Sequence, residues 1–292
     1  MSLASTAFES RNYAEAYRYY SKYLEDDSGS YLAWMGKGTS AGWQSTFFEP
    51  RLAEMRTCYA KAIETAPPDR REAIGQGTAI AEAELISAFS RLCNNNLIQM
   101  LPTAGSDATG VPDIWNHHLK VGNEMLRILE EAHMTLPDNA DIMCLIIDIC
   151  GGWIEGVQYT DHTTVRFNSN PKRFVCLTDE AERILREKIS LYADKVQKLV
   201  PEYIPRQFNK PSSGCFVATC VCDTPNHPYV YLLRRLRDEK LCKSVGGRYC
   251  ISVYNEYGPG LASFIQGKPR LKKILMLSLI RPLATMAAKV LN

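Results

Sequence analysis

The sequence predicts an all-α protein, and three observations carry that prediction. Apolar and aromatic residues recur at helical spacing in most segments, as in Ala16, Tyr20, Tyr23 and Leu24, or Met55, Tyr59, Ala62 and Ile63. Turn chemistry and prolines separate these segments at helical lengths: Asp27 to Ser30, Pro67-Pro68 and Pro201. Strand-like residues collect in only one stretch, 157–176. The chain has 292 residues, 46% of them hydrophobic and 23% charged, enough for a real core in one large or two medium domains.

In order, Asn12 to Tyr17 opens the first clear helix. The next carries Ala33, Trp34, Lys37, Gly38 and Ala41, followed by a looser loop from Gln44 to Pro50. Arg51 to Ala66 is a third helix, stopped by Pro67. Asp69 to Leu101 reads as one or two helices, with Asn94-Asn95-Asn96 as an expected interruption. Thr103 to Val111 is a loop by composition. Pro112 to Thr135 is a helix with Leu119, Val121, Met125, Leu126 and Leu129 on its core side. Asp141 to Val157 is apolar nearly all round and is expected to lie at the centre.

The order Trp34, Gly38, Tyr59, Ala62, Pro67 resembles a tetratricopeptide repeat with an insertion between its two helices. Ala16, Tyr20 and Leu24 resemble the second helix of a preceding repeat. Leu129, Ala132 and Pro137 to Ala140 resemble the end of a further one. The resemblance implies an irregular antiparallel array in which small residues let paired helices approach. Its extended surface would suit a protein partner.

Val157 to Tyr159, Thr163 to Phe167 and Arg173 to Cys176 have strand-like residues, with Asn168 to Pro171 as a turn between the last two; a small β-hairpin or a long ordered loop is expected. Thr178 caps an amphipathic helix with Glu180 and Glu182 in its first turn, ended by Pro201. Pro201, Pro205 and Pro211 mark a linker. The expected organisation is therefore an array over 1–200, a linker over 201–213 and a helical module over 214–292.

Charge changes sign at that linker. From Lys210 onward there are 13 Lys/Arg against 4 Asp/Glu; residues 1–209 carry 21 against 28. The module opens on Gly214 to Pro225, a small, apolar, cysteine-dense joint expected to thread a tight buried site. Thr224-Pro225 reads as a helix N-cap and first position. Val230, Leu233 and Leu236 form the core side of that helix, with Arg234, Arg235 and Arg237 facing elsewhere and Arg234 placed to pair with Asp238. Gly246-Gly247 is expected to break the chain. Short helices then run over 248–257, 261–266 and 269–290.

The run Cys215-Phe216-Val217-Ala218-Thr219, then Thr224-Pro225, Pro228-Tyr229-Val230 and Leu233 to Asp238, resembles a bacterial C-terminal domain family known as the CFI-box. Gly247-Arg248-Tyr249, Tyr254, Tyr257 and Pro259 extend the match to about residues 214–285. Cys220, Cys222 and Asp223 depart from its pattern, which has Gly at the last of these. Asp tolerates the left-handed backbone such a Gly would serve. The resemblance implies a portable interaction or targeting module and no particular chemistry.

The residues themselves argue against most chemistry. No phosphate-binding glycine loop, GxSxG or dinucleotide fingerprint is present, so no cofactor and no small-molecule substrate is expected. Ten cysteines without a signal peptide argue for free thiols in a reducing, cytoplasmic setting. Cys215, Cys220, Cys222 and His227 could close a tetrahedral zinc site, and Cys215 with His227 could form a nucleophile and base; buried structural thiols are the expected reading. His117 and His118 lack metal spacing and read as partner-facing or solvated. The basic end lacks interleaved stacking aromatics, which argues against nucleic acid.

No uninterrupted apolar run reaches membrane-spanning length. Residues 269–290 form a basic, very apolar helix with two readings, a membrane interface or burial against the rest of the chain, and burial is expected. The leading functional expectation is a non-enzymatic adaptor. Tyr13, Tyr17, Trp34, Trp43, Arg234, Arg235 and Arg237 are its candidate partner contacts. The alternative is a peripheral, membrane-directed effector acting through 269–290.

Overall fold

A computed structural model describes residues 1–104, 110–163, 172–209, 216–224 and 227–291. Among them are thirteen α-helices and a single two-stranded sheet, an all-α fold with one short hairpin. The chain forms two compact units, Met1–Trp153 with Glu182–Gln207, and Ile154–Ala181 with Phe208–Asn292. The hairpin thus belongs with the second unit rather than with the array in which the sequence boundaries placed it.

In the first unit, α1 (Ser2–Glu9), α2 (Tyr13–Asp26), α3 (Tyr31–Trp43), α4 (Leu52–Thr65), α5 (Arg71–Met100) and α6 (Gly110–Thr135) each pack on their successor. Local chemistry starts several of them. The Asn12 side chain accepts from the Glu15 amide and donates to the Glu15 carboxylate; Ser30 caps α3. Gly38 lets α3 and α4 close: a Cβ there would lie 2.9 Å from the Cys58 Cβ and 3.0 Å from the Met55 carbonyl oxygen.

Asn94 to Asn96 do not interrupt α5. Asn96 donates to the Leu92 carbonyl one turn back, so its amide is satisfied inside a continuous helix. The expected central helix is α7 (Ala140–Glu155). Ile142, Met143, Ile146 and Cys150 are buried on it, and Asn139 caps it at 3.1 Å. Gly122 of α6 approaches Trp153 so closely that a Cβ would sit 2.1 Å from the indole. Thr178 caps α8 (Asp179–Leu199), and Lys188 pairs with Glu130. A charged network joins α4, α5 and α6: Arg56 reaches Glu82 at 3.7 Å and also pairs with Glu131, which takes Arg127 at 2.9 Å.

In the second unit, β1 (Val157–Thr160) and β2 (Lys172–Val175) pair antiparallel, with Val157 opposite Val175 and Tyr159 opposite Arg173. The strand facing β2 is thus the first strand-like stretch and not the one expected over 163–167; residues 164–167 and the expected turn at 168–171 lie outside the described residues. Gly156 enters the hairpin at φ +61°.

The remainder of this unit is helical: α9 (Phe216–Cys222), α10 (Pro228–Glu239), α11 (Val245–Ile265), α12 (Pro269–Leu275) and α13 (Arg281–Leu291), the last two joined through a π-turn at Met276–Ile280. Its core gathers Val217, Ala218, Val221, Val230, Ile265 and Ile280. Of the cysteine-dense joint, Phe216–Cys222 is a short helix with Val217, Ala218 and Val221 in this core.

Three expectations are corrected here. His227, not Thr224, caps the next helix: its Nδ1 accepts from the Tyr229 amide, and Pro228 takes the first position. Gly246-Gly247 opens α11 instead of breaking the chain. Gly247 is required because the Leu241 carbonyl oxygen would lie 2.2 Å from a Cβ. The helices expected over 248–257 and 261–266 are one helix, α11. Asp223 does adopt the left-handed conformation, at φ +57°, and pairs with Lys272.

Candidate functional site

Residues 269–291 form a 23-residue helical run, about 35 Å at 1.5 Å per residue. Pro282 does not stop it. Proline in a helix interior clashes with the carbonyl four residues back, and the π-turn immediately before it widens the backbone there.

Around α13 the side chains fall into three rows. Ile280, Ala284 and Ala287 face the core, and α13 packs against α10. Arg281, Thr285 and Lys289, spaced four apart, form an exposed polar row. Leu279, Met286 and Val290 form an exposed apolar row, between 41% and 52% accessible. The small side chains of the inner row allow close packing but bury little area, so the large ones remain outside. This corrects two expectations. Within its own unit the helix is buried along one side only, and by length and composition it is long and apolar enough to cross a membrane. A search for uninterrupted apolar residues missed it because Arg281 and Lys289 divide the run.

Nearby α11 turns a second apolar row outward, with Val245, Tyr249, Tyr257, Leu261 and Phe264 all exposed. The i, i+4 spacing was legible in the sequence, but the expected division into helices over 248–257 and 261–266 hid it.

No family model, curated protein or solved structure matches this chain. The site therefore stands on its geometry.

The remaining candidates separate into those the structure gathers and those it does not. Tyr13 and Trp43 stack at 5.6 Å. The Tyr17 hydroxyl donates to Glu54 at 2.5 Å, beneath the Arg51 guanidinium at 4.5 Å from its ring. Lys37 lies 5.2 Å from the Tyr17 ring and 5.5 Å from that of Trp34. Burial pushes the Glu54 carboxyl up, but the Tyr17 and Arg51 hydrogen bonds outweigh it and hold it below its ordinary value. These are two separate pairings between α2 and α3, Tyr13 with Trp43 and Tyr17 with Trp34 across Lys37, since Trp34 and Trp43 lie half a turn apart around α3.

On α10, Arg234, Arg235 and Arg237 are half-exposed. Arg235 pairs with Glu239 at 2.7 Å, and Asp238, the expected partner of Arg234, has its side chain outside the described residues.

Cys215 lies outside the described residues. Cys220 donates to the Ala262 carbonyl at 3.3 Å, and the Cys222 thiol is pushed up by burial and by Asp223, away from a reactive thiolate. The His227 ring nitrogen Nδ1 is spent on its helix cap. Among the described residues no three His, Cys, Asp or Glu side chains gather as a metal site.

His118, expected to be partner-facing or solvated, is buried in the core. It stacks on Trp115 at 5.6 Å, and burial, with His117 adding to it, pulls its imidazole down to about 4. His117 Nε2 bonds the Phe47 carbonyl at 2.7 Å.

Proposed function

We propose that the protein is a peripheral membrane-binding protein whose second unit docks on a bilayer through α12, the π-turn and α13. The observation that carries this reading is the exposed apolar row of Leu279, Met286 and Val290 beside the basic row of Arg281 and Lys289. An apolar row flanked by cations, on a helix without any acidic residue, is the pattern of a helix lying in the plane of a membrane interface. Its length of about 35 Å would also reach across the roughly 30 Å hydrocarbon core. Arg281, near the middle of the run, argues against spanning, because an arginine at a helix centre costs about 2.5–3.5 kcal/mol.

The test is flotation of the full chain with vesicles containing anionic lipid. The Leu279→Ser/Met286→Ser/Val290→Ser variant removes the apolar row and leaves charge and core intact. Vesicle partitioning should fall at least about tenfold, since each half-exposed side chain gives up roughly 1 kcal/mol of lipid burial. Unchanged flotation would remove the proposal.

The adaptor reading is supported by a different observation, the aromatic pairings between α2 and α3, in which Trp43 stacks on Tyr13 and Lys37 is held over Tyr17 and Trp34; in this reading they line a partner-binding face. In it the first unit grips a protein partner while the second holds the complex at a membrane. Trp43→Ala with Lys37→Ala should abolish capture of a defined partner in cross-linking from the native host, while vesicle flotation stays at the wild-type level. Retention of the same partner by that variant would count against the face.

A further inference from the structure

Building on the membrane reading, we infer that the corner between α11 and α12 is a headgroup-binding wedge for an anionic phospholipid leaflet. The two helices meet through Gln266, Gly267 and Lys268, and Gly267 makes the reversal at φ +82°. The inner side of this corner is fixed. Ile265 is fully buried, Leu271 and Leu275 pack on the same core, and Lys272 is tied to Asp223.

The outer side is apolar and unscreened. Leu261 and Phe264 at the end of α11, and Ile274 and Leu277 beyond it, are each about half accessible or more (49–60%). Between these two apolar pairs lie Lys268, Arg270 and Lys273, all exposed. Arg270 and Lys273 make no ion pair among the described residues. The Lys268 ammonium sits 3.2 Å from the centre of the Phe264 ring.

An aromatic ring topped by an ammonium matches the layering of a leaflet. The ring enters the acyl boundary, and the cations rise to the phosphates. Charge selects the occupant. Residues 208–292 carry 13 basic against 4 acidic groups, and none of the acids falls after Glu256. A like-charged second copy of this chain would meet repulsion at the same corner, whereas an anionic leaflet attracts each lysine or arginine near its surface. Because the corner is braced from within, lipid binding need not order it first, which lowers the cost of association.

The test uses the full chain with vesicles of phosphatidylcholine alone and of phosphatidylcholine with about 30 mol% phosphatidylserine, the range in which polybasic attraction is felt. Two variants address the corner, Arg270→Glu/Lys273→Glu and Leu261→Ser/Phe264→Ser, with circular dichroism checking that helix content is kept. The wild-type chain should bind serine-containing vesicles at least about tenfold more tightly than neutral ones. The charge-reversal variant should lose that preference and the dependence on salt. The serine variant should bind both vesicle types about tenfold more weakly.

Wild-type affinity for the corner variants, with binding lost only in the Leu279, Met286 and Val290 variant, would overturn the wedge and leave the membrane reading standing. Equal binding to neutral and anionic vesicles would overturn it as well. So would a lipid-free dimer dissolved by the Leu261→Ser/Phe264→Ser variant with flotation unchanged. Absence of wild-type binding to either vesicle would remove the wedge together with the proposed function.

Discussion

Replacing Asp161 with alanine should open the β-hairpin. The carboxylate is buried immediately after β1, with its side chain only 3% accessible. One oxygen accepts from the Thr163 amide at 2.9 Å and from its hydroxyl at 2.6 Å; the other accepts from Arg173 Nε at 2.6 Å. Arg173 stands opposite Tyr159 on β2, so a single carboxylate holds both the end of β1 and the facing strand. Two four-residue strands pair too little backbone to persist by themselves. Removing one partner of a buried ion pair leaves the other uncompensated, at a cost of about 3–5 kcal/mol. Protection of the β1 and β2 amides against hydrogen exchange should fall by roughly two to three orders of magnitude. Asp161→Asn keeps an acceptor for Thr163 and should lose less. Replacing both members, Asp161→Leu with Arg173→Met, should restore part of the protection. Protection unchanged in Asp161→Ala would show that other contacts hold the strands.

The second large effect concerns Glu82. Burial on α5 raises its carboxyl to about 7; Arg56 opposes the shift, and Glu131, sharing the same guanidinium, adds to it. The folded state therefore binds a proton more tightly than the unfolded chain. Below about pH 4.5 both states are protonated and there is no penalty. As pH rises towards 7 the unfolded chain ionises first, and stability is lost at up to about 1.4 kcal/mol per pH unit. Above about 7 the loss is complete, at an upper magnitude of about 3 kcal/mol.

Glu82→Gln removes this titration, while Arg56 keeps Glu131 as its partner. Urea denaturation of the first unit, followed by its tryptophans, should find the variant more stable than wild type at pH 8 and similar at pH 4.5. A difference that does not change with pH would sink the assignment. The sequence carried no sign of this network, because Arg56, Glu82 and Glu131 belong to three helices and meet only through packing.

Much of the helical layout was legible because its causes are local. Thr178 was read as a cap and is one; Asn12, read as opening a helix, and Ser30, read as a turn residue, cap helices as well. Asp223 was read as tolerating a left-handed turn, and it adopts one. Readings failed where a local signal was outweighed by its surroundings. Asn94 to Asn96 look like a break, yet a continuous α5 satisfies them. Gly246-Gly247 also look like a break, yet Gly247 is there for the Leu241 backbone pressed against it. A helix end was expected between residues 257 and 261, and α11 runs through it.

The fold class, most helix boundaries and the change of charge sign at residue 210 could be read from the residues alone, because periodicity, caps and counting are local. A hairpin was one of two readings of 157–176, and which strands pair came from the fold. Packing settled which apolar rows are covered. Ala284 and Ala287 bring α13 close to α10 while leaving Leu279, Met286 and Val290 in the open, and the buried Ile265 leaves Phe264 outside. Which side of an amphipathic helix meets the core depends on the shape of the core, and that shape is assembled from residues far apart along the chain.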